Sequence, residues 1–345
     1  MAKNNDNFDF EENVIRIARA KWPQAEFSGS EMIDGRERDG VFETDEAIHF
    51  IEVTISRSQD KAKQDGKKIF ELIKKYQIKN PMKVCKGWFI TKDEPTADQR
   101  SVINNIGNRQ ITICTLNDFQ RSIIDVHAYL SARENHFFGS VLNQNNQSDK
   151  PDVDYVPLDI IDSTQTEPLS ICDISSNLLK GKTYILQGDY GAGKSMTLRQ
   201  VFFDLKKKFT NGAVSQFPIY LNLREHSGQD NPSELIERHA RNIGFSKPSS
   251  LVRAWKAGFC VVLIDGYDEI TTLGASNKLK LKNIRRESLT AVRRLIEQSP
   301  EKMGWIIAGR EHFFDSYQER NSALGLNSNS TTKTLSLNEF SDEQI

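Results

Sequence analysis

The eight residues Gly188-Asp189-Tyr190-Gly191-Ala192-Gly193-Lys194-Ser195 constrain this chain more than any other stretch. They fit the spacing GxxxxGK[ST], and they stand between an apolar run, Thr183–Gln187, and a segment of helical periodicity, Lys194–Lys207. A strand, a glycine-rich turn and a helix in that order make a phosphate cradle. Glycines let backbone N–H groups turn inward toward phosphate oxygens. The helix start adds the positive end of its dipole. In such a loop Lys194 reaches the β- and γ-phosphates and the Ser195 hydroxyl ligates Mg²⁺. Met196, the next residue, is counted with the loop as nucleotide-binding.

A phosphate cradle needs a second carboxylate at the end of a neighbouring strand, and Val261-Val-Leu-Ile-Asp265-Gly-Tyr-Asp268-Glu269 supplies it. Four apolar residues carry Asp265 to the strand tip, where it holds Mg²⁺. Gly266 leaves room for phosphates, and Asp268 or Glu269 polarises the attacking water. A third run, Trp305-Ile-Ile-Ala-Gly-Arg310, ends a strand in an arginine where a γ-phosphate sensor sits.

Together these runs, with Phe217-Pro-Ile-Tyr-Leu-Asn-Leu-Arg-Glu, resemble the NACHT family of STAND NTPases over about Tyr155–Ile345. The Asp-Gly-Tyr-Asp-Glu form is the most specific part of the match. The resemblance implies that ATP and Mg²⁺ are the cofactors, that binding and slow hydrolysis control opening and self-oligomerisation, and that an N-terminal effector is brought together on activation by an unknown trigger. The motifs touch phosphates and metal, not the base, so they do not separate ATP from GTP. Family members continue into helical and winged-helix segments and a sensor. The segment Leu335–Ile345 reads as the start of that continuation, so the expectation is a fragment.

At 345 residues the chain has room for about two domains. Val141–Val156 is rich in Asn, Gln, Asp and Ser and has little periodicity. It reads as a linker over 141–156 between a domain at 1–140 and another at 157–345. Lys and Arg number 46 against 47 Asp and Glu, so any surface for nucleic acid must be a local patch. The longest apolar run, Phe259–Ile264, is far short of the roughly 20 residues that span a bilayer. Four scattered cysteines without a CxxC pair exclude a disulfide framework or zinc ribbon and fit a cytoplasmic protein. The second part alternates strands (Thr183–Gln187, Pro218–Leu223, Phe259–Asp265, Trp305–Ala308) with helices (Lys194–Lys207, Pro232–Asn242, Ser249–Lys256, Asn283–Glu297). Its strands are continuously apolar, which predicts an α/β fold with a parallel sheet covered by helices on both faces.

The first part predicts helix, strand, strand, helix, strand: Phe10–Lys21, Asp39–Phe42, Ala47–Ser56, Ser58–Tyr76 and Val84–Thr91. A helix at Thr96–Asn105, a strand at Gln110–Thr115 and a helix at Leu116–Arg133 follow, giving a mixed sheet. Pairing Val41–Phe42 with Ala47–Ile48 across the polar turn sets Asp39 opposite Phe50, on the same face as Glu52. Two carboxylates on one face suit a hard divalent cation such as Mg²⁺, which generates hydroxide beside a phosphodiester.

Arg36-Glu-Arg-Asp39-Gly-Val-Phe and Phe50-Ile-Glu52-Val-Thr54 resemble the PD-(D/E)xK restriction-endonuclease fold, in particular its Mrr-like branch. The resemblance implies a metal-dependent nuclease with Asp39 and Glu52 as metal ligands. Thr54 stands where the pattern has its catalytic lysine. Some members move that lysine to the next helix, where Lys61 and Lys68, with Asp65 between them, share a face. Glu11 or Glu12 on the first helix is a further candidate ligand. Arg57–Lys79 holds eight Lys or Arg against three acids, a patch suited to DNA. The resulting expectation is a nucleotide-gated switch controlling a nuclease effector, in prokaryotic defence against phage or foreign DNA. The alternative is a signalling or scaffold protein whose N-terminal domain binds DNA or a partner without cutting. A nucleotide-driven translocase is a third reading, disfavoured by the Asp-Gly-Tyr-Asp-Glu run.

Overall fold

An eight-residue strand buried on both faces organises the first of two units. In a computed structural model, residues 2–27, 31–33, 36–107, 109–139, 157–162, 167–226, 229–269, 278–326 and 331–337 are described. They form two units, Met1–Ile124 and Asp125–Ile345. The stretch 141–156, expected as a linker, lies outside the described residues.

Unit one runs α1 (Ala2–Lys21), β1 (Glu26–Phe27), β2 (Glu31–Ile33), β3 (Arg36–Arg38), β4 (Gly40–Glu43), β5 (Ala47–Thr54), α2 (Gln59–Lys79), β6 (Val84–Thr91), α3 (Ala97–Gly107), β7 (Ile111–Thr115) and α4 (Leu116–Arg121). The main sheet has the order β1-β4-β5-β6-β7, with β2 and β3 as a separate antiparallel pair. β4 and β5 are antiparallel, and β5, β6 and β7 are parallel. Helix α2 buries Ala62, Ile69, Leu72 and Ile73 against Ile48, Phe50 and Phe89 of the sheet. These four positions recur at helical spacing, so one stripe of α2 covers one sheet face.

The register corrects the sequence reading. Val41 pairs with Phe50 and Gly40 with Ile51, so extension of the ladder sets Asp39 toward Glu52 rather than opposite Phe50. The four-residue offset of Glu43 from Ala47 lengthens the turn, closed by Thr44 donating its hydroxyl to the Ala47 carbonyl (2.9 Å). The slip is even, so the face assignment survives.

Unit two runs α5 (Val126–Glu134), β8 (Ile160–Asp162), α6 (Ile171–Leu179), β9 (Thr183–Gln187), α7 (Lys194–Thr210), β10 (Phe217–Asn222), α8 (Pro232–Asn242), α9 (Pro248–Lys256), β11 (Cys260–Asp265), α10 (Lys278–Ser288), α11 (Thr290–Gln298), β12 (Trp305–Gly309), α12 (Tyr317–Leu324) and β13 (Lys333–Leu337). The sheet order is β10-β11-β12-β9-β13-β8. It is parallel except for the β13–β8 pair. The expected helix Leu116–Arg133 is two helices, because Asp125 caps the second by accepting from the Ala128 N–H (3.1 Å). The expected helix Asn283–Glu297 is likewise broken at Leu289, which is fully buried. Among the described residues no helix is long and apolar enough to cross a membrane.

The far face of the first sheet carries a buried titratable group. His49 stacks on Trp22 at 4.0 Å, and the Trp88 indole N–H donates to its Nδ1 (3.3 Å). Burial, with help from Lys86 and Lys21, pushes the imidazole down to about 4. The unfolded chain takes up this proton near 6.5, the folded chain only near 4, so stability falls as pH drops through that window. Denaturant unfolding of the whole chain at pH 7 and pH 5 tests this. Wild type should lose about 1–2 kcal/mol more than His49→Gln over that interval; equal losses would assign the pH dependence elsewhere.

Candidate functional site

The glycine-rich loop joins β9 to α7 as the sequence predicts. Gly193 caps α7 at φ +87°, a left-handed conformation that glycine reaches without cost. Helix α7 anchors the loop by burying Leu198, Val201, Phe202, Leu205 and Phe209. The Lys194 ammonium donates to the carbonyls of Gly188 (2.8 Å) and Asp189 (2.7 Å). The Ala192 N–H donates to the Asp189 carbonyl (3.3 Å) and closes the turn. Gly188, Asp189 and Ala192 thus shape the loop. A cleft of about 240 Å³ is lined by the remaining loop residues Tyr190, Gly191, Gly193, Lys194, Ser195 and Met196 on one side. Asp265, Gly266, Asp268, Glu269 and Arg310 line the other.

The acids meet the cleft at the tips of parallel strands. Asp265 ends β11, pairs in register with Asn222 of β10 and Ala308 of β12, and is buried. Burial pushes its carboxyl up. The Tyr220 hydroxyl, which donates to Oδ2 at 2.6 Å, the Ser195 hydroxyl and Lys194 pull it back down, while Asp268 adds to the rise. Burial also raises Glu269, and Asp265 and Asp268 reinforce it. Lys194 is lowered by burial, against the pull of Asp268 and Asp265. These opposed shifts are the signature of a desolvated site of mixed charge.

Arg310 is held by Asp268. Its Nε donates to Oδ2 (2.8 Å) and its backbone N–H to Oδ1 (3.1 Å). The exposed ring of Tyr190 lies 5.3 Å from the Arg310 guanidinium. Behind this pair, the buried Tyr267 hydroxyl donates to the Arg310 carbonyl (2.7 Å), and Gln187 reaches Tyr267 (3.4 Å). Arg320 in turn donates to Gln187 (2.8 Å) and Thr334 (3.1 Å). Sequence reasoning missed Tyr220, Asn222, Tyr267 and Gln187. For Tyr220, Asn222 and Gln187 the available signal was a polar group in an apolar strand run, while Tyr267 lies in the turn after β11.

Unit one gathers a second cluster. Asp39 lies in the bend before β4, and the Val53 N–H donates to its Oδ2 (2.6 Å). Burial raises its carboxyl; the Val53 bond, Lys68 and Lys61 oppose this, and the nearby Asp65 carboxylate reinforces it. Glu52 is buried on β5, and Lys68 Nζ lies 3.7 Å from its Oε2. Asp65 is fully buried and takes Lys61 and Lys68 at 3.1 Å each. Burial lowers the Lys68 ammonium, but Glu52, Asp65 and Asp39 outweigh it and the net shift is upward. Thr54 is buried and its hydroxyl accepts from the Ser56 N–H (3.1 Å), so it serves the backbone. Glu12 is exposed and acts on Arg16 of its own helix. Among the described residues no group of three or more His, Cys, Asp or Glu side chains is placed to hold a metal ion. A cation here would rest on Asp39 and Glu52, with water or phosphate completing the hard oxygen set.

Comparison with known proteins bears on the second unit. Residues 182–345 match the family model of the NACHT domain; the match leaves residues 1–181 outside. No curated protein sequence matches the chain. Among solved structures, the Aeropyrum pernix ORC1 protein in complex with DNA is similar at 17% identity and a TM-score of 0.32. The similarity covers 50% of this chain and 44% of that one, so the chain spans less than half the length of that protein.

Asp65 is the residue on which the unit-one cluster balances. Asp65→Asn leaves two lysines without their shared counter-charge. Because both amines keep some access to water, the cost should be about 1–3 kcal/mol, below that of breaking a fully buried pair. Urea unfolding of the full chain measures it; no change would show that the lysines find other partners.

Proposed function

We propose that the chain is a nucleotide-controlled switch whose first unit is a metal-dependent nuclease acting on DNA. The observation that carries the nuclease reading is the Lys68 amine, 3.7 Å from Glu52, delivered by α2 to the face where Asp39 and Glu52 lie. Thr54 lacks a cation, and Lys68 supplies one from the next helix. Mg²⁺ held by Asp39 and Glu52 would acidify water and neutralise a phosphodiester oxygen. Lys68 orients and stabilises the attacking hydroxide. Asp65 holds Lys68 in place, and the basic face of α2 tracks phosphates. The PD-(D/E)xK, Mrr-like resemblance supports this reading.

In the second unit the residues suit a nucleoside triphosphate with Mg²⁺. The oxygens of Ser195 and Asp265 meet beside the loop and would hold the cation. Lys194 exchanges its two carbonyl partners for phosphate oxygens. Glu269, raised by burial and like charge, is suited to take a proton from the attacking water. Arg310 exchanges Asp268 for the γ-phosphate and so frees that carboxylate. ATP is the favoured nucleotide by family resemblance. Self-association on activation follows from the same resemblance, a cytoplasmic site from the scattered cysteines, and a role in defence from the pairing of the two resemblances.

A second reading has its own support. Lys61 and Lys68 are both neutralised by Asp65, as in a structural ion-pair cluster, and this favours a unit that binds DNA or a partner without cutting.

Cleavage of double-stranded DNA by the full chain with Mg²⁺ and ATP separates the two. Asp39→Asn, Glu52→Gln and Lys68→Met should each lose at least about a hundredfold in rate, and Lys61→Met much less. Binding of DNA without cleavage in wild type would leave the binding module. Lys194→Ala should weaken ATP binding at least about tenfold, read by titration.

A further inference from the structure

The second unit contains a backbone strap that lies outside the matched domain. It follows α5 and spans His136–Gly139. Arg133, at the end of α5, is buried, and its guanidinium donates to the carbonyls of His136 and Phe137 (3.1 Å each). The same guanidinium lies over the rings of Phe138 (4.0 Å) and Tyr220 (4.5 Å). Phe138 is buried edge-on to Tyr220 at 4.8 Å. At the end of the strap the Asn222 amide donates to the Gly139 carbonyl (3.3 Å). Tyr220 is the residue that donates to Asp265.

Gly139 ends directly on the cation-holding residues of the cleft. A Cβ at this position would lie 2.5 Å from Ser195 Oγ and 3.0 Å from Asp265 Oδ2. Its φ is +62°, in the left-handed region. The backbone at Gly139 therefore takes up the space beside the Ser195 hydroxyl. A Mg²⁺ ion keeps several waters and demands near-octahedral room at the oxygens that hold it. The strap and a hydrated cation compete for one place.

We propose that His136–Gly139 is an autoinhibitory strap that closes the Mg²⁺ position and is displaced when Mg²⁺–ATP binds. This rests on the nucleotide reading of the cleft. ATP alone meets the loop with the strap in place. Mg²⁺ with ATP moves the strap off Ser195 and Asp265, and the movement passes through Arg133 to α5, the helix that follows unit one in the chain. Only the open state takes Mg²⁺–ATP, so the apparent affinity is reduced by the closed fraction.

The test is hydrogen exchange of the full chain with ATP plus EDTA and with ATP plus MgCl₂, paired with titration of a fluorescent ATP analogue. Exchange over residues 133–139 should rise with Mg²⁺ and not with ATP alone. Gly139→Ala and Asn222→Ala both weaken the closed state, the first by strain and crowding, the second by removing the clamp. Each should tighten Mg²⁺–nucleotide binding by about fivefold and leave binding in EDTA unchanged. Unchanged exchange in wild type, or weaker Mg²⁺–nucleotide binding in Gly139→Ala, would overturn the strap while the nucleotide reading stands. No binding of ATP by wild type in either condition would overturn the nucleotide reading, and the strap with it.

Discussion

A carboxylate buried at the tip of a central parallel strand is tolerable only if donors meet it, and for Asp265 the principal donor is the Tyr220 hydroxyl at 2.6 Å. An ionised carboxylate taken out of water without such partners costs several kcal/mol. The bond therefore fixes more than one side chain. It ties the tips of β10 and β11, whose register sets Asn222 opposite Asp265. It also fixes the ring on which Arg133 and Phe138 pack. The cleft's acids, the β10 tip and the segment after α5 thus share one buried anchor.

The first unit solves a similar problem with a different partner. Its buried acids, Glu52 on β5 and Asp65 on α2, are met by lysines from the helix that follows the strand. A backbone N–H meets Asp39. In both units an acid lies at a sheet strand and a helix brings up a lysine, Lys68 from α2 beside Glu52 and Lys194 at the start of α7 on the cleft that Asp265 lines. A buried acid near a partly buried cation suits phosphate chemistry, since phosphate oxygens and a divalent cation can replace the internal partners. The proposed nuclease and the proposed nucleotide switch draw on the same physics.

Much of this was legible in the sequence where a local rule decides the outcome. The strands Thr183–Gln187 and Val261–Asp265 are continuously apolar and flanked by turns, so their place in a two-sided sheet follows from burial alone. The loop glycines gave the strand–turn–helix. Period-two alternation put Asp39 and Glu52 on one face even though the assumed register was two residues off, because an even slip preserves the face. What was not legible depends on distant partners. Nothing near Asp65 in the chain says that it is buried and shared by two lysines; that follows from α2 crossing the sheet. The break at Ser122–Asp125 depends on a cap that competes with a continuous apolar period. The strap at His136–Gly139 has no motif at all, and only the fold brings it to Ser195.

Control of DNA cleavage by nucleotide is the claim that joins the two units, and the ATP dependence of cleavage by the intact chain tests it most directly. Cleavage at fixed Mg²⁺ should rise several-fold on adding ATP in wild type and stay at the basal level in Lys194→Ala, whose nuclease residues are intact. Equal cleavage with and without ATP, or equal stimulation in Lys194→Ala, would contradict the account and leave two activities that merely share a chain.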